Sequence, residues 1–506
     1  MAQPYPFLDQ LNLNPDVRFR LSQSLDRVNR GNTDVYLVPN TDPEAMLRGW
    51  DNIYRKHVDM LDSELVELET SNRSSFGPRS LAMPWEMRKS GVELSYAPDT
   101  LTQGPEFNTL RGDLRHVNVI TASKQLKNDT SSGLPDLKHK GVVKERAVED
   151  FQELILREDP CVMYSRTQNY LPKEKWSKTR LVWGYPIADT LQEMMVYQPL
   201  LLQAKRWPFR SALLGPESVD RAVSRLVRNA MANGEHIVSI DFNSYDAYLK
   251  RVLQDAVREF VLGLFQQASH TLINTIFDRL GTIGLVTPEK IYTGYHGVPS
   301  GSVFTNEVDS LAQYLVVQGL DLEGQIQGDD GLYRTKDPEA LLQRFDDYNL
   351  DLNREKSYTS NRFAVYLQRY YSPTYVSSGE LVGVMPTYRV LNRLVHPERY
   401  TDFESYGLRG NDYFSIRAIA LLENCKYHPL HRQLVEFAVR NDKYKLNVTE
   451  KGLKLYVKMM SESSGSQGLI INQFGDNVKG LRDFETYKII RSEERRVGKE
   501  CRSRWS

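Results

Sequence analysis

The stretch that contributes most to predicting the fold is residues 324–335, GQIQGDDGLYRT. Apolar Ile326 and Leu332 suit two short strands, and Asp-Gly at positions 330–331 is a pair that tight hairpin turns favour. A bare Gly-Asp-Asp arises by chance in roughly one chain in ten of this size, so a simple hairpin turn is the alternative explanation. In either case the turn would present the carboxylates of Asp329 and Asp330 at the end of a strand pair.

A further carboxylate follows the predicted strand HIVSI, residues 236–240. Asp241 could be the N-cap of the next helix, or it could meet Asp329 across adjacent strands. Two carboxylates about 4 Å apart would repel by about 4 kcal/mol at an effective dielectric of 20, so a site of this kind needs cations. Oxygen ligands suit Mg²⁺ or Mn²⁺, and two such ions could promote an in-line displacement at phosphorus.

The segment between these carboxylates, residues 297–310, is GVPSGSVFTNEVDS. Its Ser300-Gly301-Ser302 turn has free backbone N–H groups. Thr305 and Asp309 lie four residues apart and so share one face of the helix that follows. The alternative is a plain helix cap at Ser300 or Ser302.

Taken in order, these motifs resemble a known family. Asp241-x4-Asp246, Ser300-Gly301-x3-Thr305-x3-Asp309 and Gly328-Asp329-Asp330 resemble motifs A, B and C of viral RNA-dependent RNA polymerases. The segments DFNSYD, GVPSGSVFTNEVDS and QGDDG are most similar to those of picobirnavirus polymerases, with those of partitiviruses next. The resemblance covers most of residues 110–490.

The resemblance implies a role for each carboxylate. Asp241 and Asp329 would hold two divalent cations, Mg²⁺ or Mn²⁺, with Asp330 as a nearby helper. Asp246 would sense the ribose 2′-hydroxyl, a group that distinguishes RNA from DNA, with help from Thr305 and Asp309. Many RNA polymerases carry Asn at the position of Asp309, so this chain departs from the common pattern there.

Two further segments of the resemblance concern the nucleotide and its triphosphate. Ser300 and Gly301 would form a mobile loop that touches template and nucleotide. The basic residues of YLPKEKWSKTR, residues 170–180, resemble motif F, in which cations meet phosphate oxygens. Arg180, Lys178 and Lys173 would bind the triphosphate, and Lys175 would contact RNA. The segment is predicted to be a basic loop that runs into an apolar strand at Leu181-Val182-Trp183. Without the downstream motifs, a solvated loop with no binding role would be the better interpretation.

The remaining motifs are shorter. Ser131, Ser132 and Gly133 resemble motif G, which steers the template strand. Lys356, in LNREKSY, resembles the motif D lysine, which would protonate the leaving pyrophosphate as a general acid; a surface lysine is the alternative. Arg369, in LQRY, resembles part of motif E, the hairpin that supports the primer end.

Two local patterns are also informative about structure. Residues 45–69, AMLRGWDNIYRKHVDMLDSELVELE, have apolar residues at three- and four-residue steps, which predicts one amphipathic helix of several turns. The segment DPEALLQRFDDYNL predicts a helix with Asp337 as N-cap and Pro338 at its first position. Beyond about residue 380 the pattern is mainly helical.

The family fold is α+β, a closed right hand with an antiparallel palm sheet and a helical thumb. The predicted division assigns residues 1–75 to a bridge between fingers and thumb, 76–210 and 262–297 to fingers, 211–261 and 298–380 to palm, and 381–490 to thumb.

Composition bounds these interpretations. The chain has 506 residues, 40% hydrophobic and 26% charged, with a formal net charge of zero and three cysteines. This composition is typical of a globular protein, and the chain is too long to form one simple core. The cysteines are widely spaced, which favours neither a disulfide framework nor a zinc site and suggests a reducing compartment. We see neither an apolar run of about 18 residues nor a secretory signal.

The last segment, residues 491–506, RSEERRVGKECRSRWS, is of a different kind. It resembles the in-frame translation of a sequencing-library adapter, and a solvated basic tail is the alternative. On the first interpretation the native chain continues past Ile490.

The sequence therefore predicts an RNA-directed RNA polymerase that replicates and transcribes a double-stranded, segmented viral RNA genome and needs no primer. Its partners would be template and product RNA, nucleoside triphosphates and a viral capsid protein, with no membrane, and its location the virion interior and the host cytoplasm. An inactive polymerase-like protein that binds or packages RNA is the alternative. A reverse transcriptase is a third option. That class usually carries a bulky aromatic residue at the position of Asp246, so the aspartate argues against it.

Overall fold

The computed structural model describes residues 5–464 and 478–492. The helices in this part of the chain are α1 Pro15–Arg30, α2 Pro43–Tyr54, α3 Ser63–Ser74, α4 Lys89–Tyr96, α5 Val119–Ser123, α6 Lys140–Glu149, α7 Phe151–Leu156, α8 Ile187–Ala204, α9 Pro216–Asn233, α10 Tyr245–Tyr248, α11 Arg251–Leu264, α12 His270–Thr282, α13 Thr305–Val316, α14 Pro338–Asp347, α15 Thr387–Val395, α16 Gly410–Glu423, α17 His431–Asn441, α18 Glu450–Ser464 and α19 Val478–Asp483.

The strands are fewer and mostly short. They are β1 Cys161–Leu171, β2 Trp176–Gly184, β3 His236–Ile240, β4 Leu285–Val286, β5 Ile291–Tyr292, β6 Leu322–Gln327, β7 Asp330–Thr335, β8 Tyr358–Ser360, β9 Ala364–Tyr366, β10 Arg369–Tyr371, β11 Val376–Ser377 and β12 Glu380–Leu381.

The central sheet has the order β6-β7-β3-β8, and all its neighbouring strands are antiparallel. Buried side chains of β3 point alternately to the two faces of the sheet, as expected when both faces are covered. Ile237 packs with Leu226 and Val227 of α9, whereas Val238 and Ile240 belong to the core formed with α11 and α13. The sheet is thereby held between helices, and its strand ends are fixed in space.

The predicted hairpin at residues 324–335 is confirmed. β6 and β7 pair from Leu322 with Thr335 to Gln327 with Asp330, and Gly328-Asp329 forms the turn. The helix predicted after it is also confirmed. Asp337 precedes α14 and accepts a hydrogen bond from the Ala340 backbone N–H at 3.0 Å.

The structure corrects the prediction of a basic loop at residues 170–180. Most of this segment lies in a long antiparallel hairpin of β1 and β2, and only residues 172–175 form its turn. Along β2, buried Ser177 and Thr179 alternate with exposed Lys178 and Arg180. This two-residue period is the signature of a strand with one covered face.

The single helix predicted over residues 45–69 is also wrong. α2 ends at Tyr54, a short 3₁₀ turn follows at Val58–Met60, and α3 begins at Ser63. Trp50 packs among the carboxyl-terminal helices, whereas Leu65 packs with Tyr370 of β10. Because these two apolar residues cover different elements, one straight helix could not bury both.

The amino-terminal segment touches two distant parts of the fold. α1 packs against β1 of the hairpin sheet through Leu21 and Leu25. In α2, Trp50 donates a hydrogen bond from Nε1 to the hydroxyl of Thr387 in α15, at 3.0 Å. Residues 5–75 therefore join the hairpin sheet to the carboxyl-terminal helices, as a bridge between fingers and thumb would; the domain boundaries themselves stay predictions.

Three other sequence predictions concern membrane spans, the cysteines and the last segment of the chain. In the part that the structure describes, no helix is both long and apolar enough for a membrane crossing, and Cys161 and Cys425 are buried free thiols. Apart from residues 491 and 492, the proposed adapter segment lies outside the described residues, as does Cys501.

Candidate active site

The structure brings the predicted acidic residues to one edge of the central sheet. Asp241 directly follows β3, whose last residue, Ile240, pairs with Gly331 of β7. Asp330 is the first residue of β7, and Asp329 lies in the turn before it. The antiparallel pairing of β3 with β7 thus places residues about ninety positions apart at a common strand end.

Asp241 is held in place by the segment that carries Lys356. The side-chain amide of Asn353 donates a hydrogen bond to Oδ2 of Asp241 at 2.8 Å, and the Asp241 backbone N–H donates to Ser357 Oγ at 3.1 Å. Lys356, although exposed, is close enough to lower the pKa of Asp241. Sequence reasoning missed Asn353 and Ser357, because their contacts with Asp241 span more than a hundred residues.

The turn that bears Asp329 is anchored to α13. Gly328 has φ of +64°, in the left-handed region that favours glycine. Its N–H donates to Ser310 Oγ at 2.8 Å, and its carbonyl accepts from Nε2 of Gln313 at 3.1 Å. The helix of motif B therefore fixes the turn of motif C directly, through polar contacts at both ends of one peptide unit.

The electrostatics of this edge suit a bound cation. Burial, together with the charges of Asp329 and Asp241, raises the pKa of Asp330 to about 7. Burial also raises the pKa of Asp241, with Lys356 acting in the opposite direction and Asp329 in the same direction. A divalent cation would relieve this repulsion, and carboxylate oxygens are the ligands that Mg²⁺ prefers.

The donor set therefore fits the predicted metal ligands in its chemistry. Among the described residues, however, no group of three His, Cys, Asp or Glu side chains already converges on one metal-sized point. The three aspartates would have to turn toward a shared cation. Their roles as ligands stay predictions.

Asp246 and Asp309 form a second carboxyl pair beside the first. Asp309 is only 5% exposed, and its carboxyl group lies close enough to that of Asp246 for each to affect the pKa of the other. Burial, followed by the charge of Asp246, raises the pKa of Asp309 far above its usual range. Asp309 is therefore the protonated partner, and a protonated carboxyl is a donor, like the amide of Asn.

From this pairing we expect Asp309→Asn to keep RNA synthesis within a factor of about three, because the neutral donor is retained. Asp309→Leu should lower the preference for ATP over 2′-deoxy-ATP by about tenfold, the value of one hydrogen bond to a charged group. Single-nucleotide incorporation, compared as kcat/KM for the two nucleotides, measures both. Equal loss of preference in the Asn and Leu variants would contradict the assignment.

The loop of motif B is packed against the hairpin sheet. Ser300 Oγ donates to the Leu181 carbonyl at 3.0 Å. A Cβ on Gly301 would lie 1.6 Å from the Trp183 carbonyl oxygen, so only glycine fits this approach. Thr305 begins α13, and its hydroxyl donates to the Pro299 and Ser302 carbonyls at 2.8 and 2.9 Å.

A buried acid that sequence reasoning missed also holds this loop. Glu193 of α8 is 3% exposed and accepts hydrogen bonds from Ser302 Oγ at 2.9 Å and from the Val303 N–H at 2.8 Å. Burial raises the pKa of Glu193 to about 8, even though these two hydrogen bonds act in the opposite direction. No sequence pattern links Glu193 to a loop 109 residues away, so only the folded chain reveals it.

The basic residues of the hairpin divide into two groups. Lys178 and Arg180 of β2 lie near the acidic edge. Burial raises the pKa of Asp246, Asp330 and Asp241, and the charge of Arg180 opposes this rise at Asp246 and Asp330, as that of Lys178 does at Asp241. Partial enclosure lowers the pKa of Lys178 itself, followed by the charges of Lys356 and Arg180. Two cations therefore lie near the carboxyl groups, and their predicted contact with a triphosphate stays a prediction.

Lys173 and Lys175, in contrast, lie in the exposed turn 172–175 at the tip of the hairpin. They are not among the main charges that shift the pKa of the active-site carboxyl groups. Their predicted contacts with triphosphate and RNA stay predictions.

The residues of the motif G resemblance are mostly enclosed. Ser132 is fully buried and its N–H donates to the Lys138 carbonyl at 2.7 Å. Gly133 has φ of +62° and lies against the Tyr185 carbonyl. Ser131 is partly exposed, and its Oγ lies 3.3 Å from the Tyr164 hydroxyl. Of the three residues in this resemblance, Ser131 is the one with a partly exposed side chain.

Arg369 is not part of the acidic cluster. It begins β10, which pairs with β9, and it lowers the pKa of Asp220 in α9. Its Nη1 donates to the Gly383 carbonyl at 3.5 Å. Its position between the central sheet and the carboxyl-terminal helices is compatible with the predicted support of a primer end, which stays a prediction.

An antiparallel sheet with paired acidic strand ends, facing cations on a neighbouring hairpin, defines the class of template-directed nucleotide polymerases. The chain belongs to the viral RNA-dependent RNA polymerases, because the model of that family matches residues 30–438. It is thus an RNA-directed RNA polymerase, whose substrates are RNA and nucleoside triphosphates.

The named relatives agree with this assignment. The chain is 28% identical over 472 residues to a "Potential RNA-dependent RNA polymerase" of Human picobirnavirus (strain Human/Thailand/Hy005102/-), covering 86% of each chain. It is 25% identical over 284 residues to an "RNA-directed RNA polymerase" of Cryptosporidium parvum virus 1, covering 49% of this chain and 53% of that one.

Solved structures show the same fold. The crystal structure of the RNA-dependent RNA polymerase of a human picobirnavirus superposes with a TM-score of 0.79 at 23% identity, over 97% of this chain and all of the other. Its insertion-loop deletion mutant superposes with a TM-score of 0.78 at 24% identity. The predicted α+β fold, the closed right hand with fingers, palm and thumb, is therefore confirmed.

Proposed function

We propose that this polymerase copies a double-stranded, segmented viral RNA genome by two-metal-ion nucleotidyl transfer and starts its chains without a primer. The observation that supports the mechanism is the meeting of Asp241, Asp329 and Asp330 at one sheet edge. The genome type rests on the resemblance to picobirnavirus polymerases.

In this mechanism Asp241 and Asp329 hold two Mg²⁺ or Mn²⁺ ions, with Asp330 beside them. When bound, the ions supply activation of a 3′-hydroxyl and charge stabilisation of the leaving pyrophosphate. Lys178 and Arg180 orient the triphosphate, and their proximity to the carboxylates supports this role. Lys356, next to Asp241, donates a proton to the departing pyrophosphate.

We further propose that the enzyme works inside the virion and in the host cytoplasm, in contact with a viral capsid protein. Template and product RNA would pass the sheet edge between the basic hairpin and the carboxyl-terminal helices. These proposals are supported by the family to which the chain belongs.

The test is RNA synthesis on single-stranded RNA without primer, with Mg²⁺ and Mn²⁺ supplied separately. A γ-³²P-labelled purine triphosphate keeps its label only as the first nucleotide of a new chain, so labelled product reports unprimed initiation. We expect metal-dependent, template-dependent labelled RNA, both from the full chain and from a version that ends at Ile490.

Two outcomes would contradict parts of this proposal. Extension of annealed primers without any γ-labelled product would refute primer-independent initiation but leave the polymerase intact. Tight RNA binding without synthesis under either metal, in both versions of the chain, would favour the inactive RNA-binding alternative.

A further inference from the structure

A cavity of about 490 Å³ lies between the amino-terminal bridge and the carboxyl-terminal helices. Its walls come from residues 35–37, Arg79, the loop at 397–403 and α16. The backbone N–H of Val38 donates to the Val395 carbonyl at 3.1 Å beside it. None of the residues predicted for the active site lines this cavity, so it is a separate feature of the molecule.

The cavity has an excess of positive charge. Arg79, Arg399 and Arg417 line it, and Glu398 is the acidic residue among its lining side chains. Glu398 is already shared, because it lies 3.7 Å from Arg79 and 3.1 Å from Arg166 of β1. Among the described residues, the cavity therefore has more cations than carboxylates to neutralise them.

Arg399 is exposed, whereas Arg417 is partly enclosed and Arg79 is buried. Arg79 is 8% exposed, and its Nε has no hydrogen-bond partner in the described part of the chain. Burial, followed by the charge of Arg393, lowers the pKa of Arg79 to about 10. Nη2 of Arg417 donates to a backbone carbonyl, that of Arg393, at 2.6 Å, and not to a carboxylate. An anion at this point would satisfy donors and charge together.

Aromatic rings form the rest of the wall. Phe403 and Tyr413 are stacked, with centroids 4.5 Å apart and ring planes at 14°. Tyr400 is 68% exposed and Tyr36 is partly exposed. Exposed aromatic faces next to arginines are a platform on which a base can stack while its phosphates are bound.

We propose that this cavity is a second nucleotide site, which binds a 5′-triphosphorylated nucleotide away from the catalytic carboxylates. The ligand is either a free nucleoside triphosphate or the triphosphate end of an RNA strand. Its phosphates lie among Arg79, Arg399 and Arg417, and its base stacks on the exposed rings. Because the cavity is lined by the bridge and by α16, the bound nucleotide stabilises the contact between them.

The cavity is connected to the catalytic edge through α15. Arg393 and Arg389 lie one turn apart on this helix. Burial, followed by the charges of Arg393 and Arg79, lowers the pKa of Arg389 to about 10, and the charge of Asp330 acts in the opposite direction. Arg389 therefore lies within electrostatic range of both Arg79 of the cavity and Asp330 of the catalytic edge.

The test is binding of labelled GTP and ATP in EDTA, where metal-dependent binding at the carboxylates is suppressed. Arg399→Glu alters an exposed lining residue, and Arg409→Glu, an exposed arginine outside the lining, is the matched control. We expect Arg399→Glu to weaken binding by about tenfold, as for one charge-assisted contact, and Arg409→Glu to leave it unchanged. Unchanged thermal midpoints in both variants establish that folding is intact.

The source of the phosphate is decided with short RNAs of one sequence that carry either a 5′-triphosphate or a 5′-hydroxyl. Tighter binding of free nucleotide, or of the triphosphorylated RNA, supports the proposal and identifies the natural ligand. Equal binding of both RNAs with no binding of GTP or ATP would overturn it, as would equal weakening by Arg399→Glu and Arg409→Glu. Photocrosslinking of 8-azido-ATP in EDTA should label Tyr36, Tyr400 or Phe403, and labelling confined to the palm would also refute it.

Discussion

Asp329→Asn is expected to lower the rate of nucleotide addition by more than about a thousandfold, or about 4 kcal/mol of transition-state stabilisation. The substitution keeps the size of the side chain but removes one of the three negative charges that would hold the cations. Gly328, which anchors the turn to α13, is unchanged, so the fold should persist. Pre-steady-state extension of a primed template measures the effect.

The matched control for this experiment is Asp321→Asn. Asp321 is exposed and precedes β6 at the end opposite to the turn, so the same chemical change is made in the same hairpin, away from the carboxylate cluster. The control should extend the primer at the rate of the parent chain. RNA binding by Asp329→Asn should also stay close to that of the parent, because the basic hairpin is intact. Nucleotide addition at more than a tenth of the parent rate would show that Asp329 does not hold an essential cation.

Arg210→Ala is expected to lower the free energy of unfolding by about 3–5 kcal/mol, because it leaves a buried carboxylate without its cation. Arg210 is fully buried and Glu307 is 1% exposed. The guanidinium forms a bidentate pair with Glu307, at 2.6 and 2.8 Å, and Nη2 also donates to Asn306 Oδ1 at 2.9 Å. The pair thus fixes the start of α13 to the segment before α9.

Urea unfolding followed by tryptophan fluorescence measures this loss, with Arg206→Ala, an exposed arginine nearby, as the control. The double variant Arg210→Met with Glu307→Met should recover most of the stability, since burying neither charge avoids the cost of desolvation. Equal midpoints for Arg210→Ala and Arg206→Ala would contradict a structural role for the pair. Asn306 also accepts a hydrogen bond from Gln327 at 3.1 Å, so the variant should disturb the Asp329 turn as well.

How well the sequence predicts each feature of the site depends on how far apart in the chain the residues that form it lie. The turn at Gly328-Asp329, the strand before Asp241 and the cap at Asp337 each depend on a few adjacent residues, and the structure has all three. The many charges of the segment 170–180 favour a loop, although Ser177 and Thr179 alternate with cations as in a strand that has one covered face. The break between α2 and α3 was missed because it depends on which distant elements those helices cover.

The amino-acid sequence establishes the chemistry available to this polymerase: which carboxylates, cations and glycines are present, in what order, and in several of the short strands and turns. Which of these residues meet depends on tertiary packing. Glu193 reaches the motif B loop, Asn353 reaches Asp241, and Arg79 joins Arg417 across a cavity because packing brings together residues a hundred or more positions apart. Local periodicity does not predict such contacts, because both partners become buried and paired only when the helices and sheets pack together.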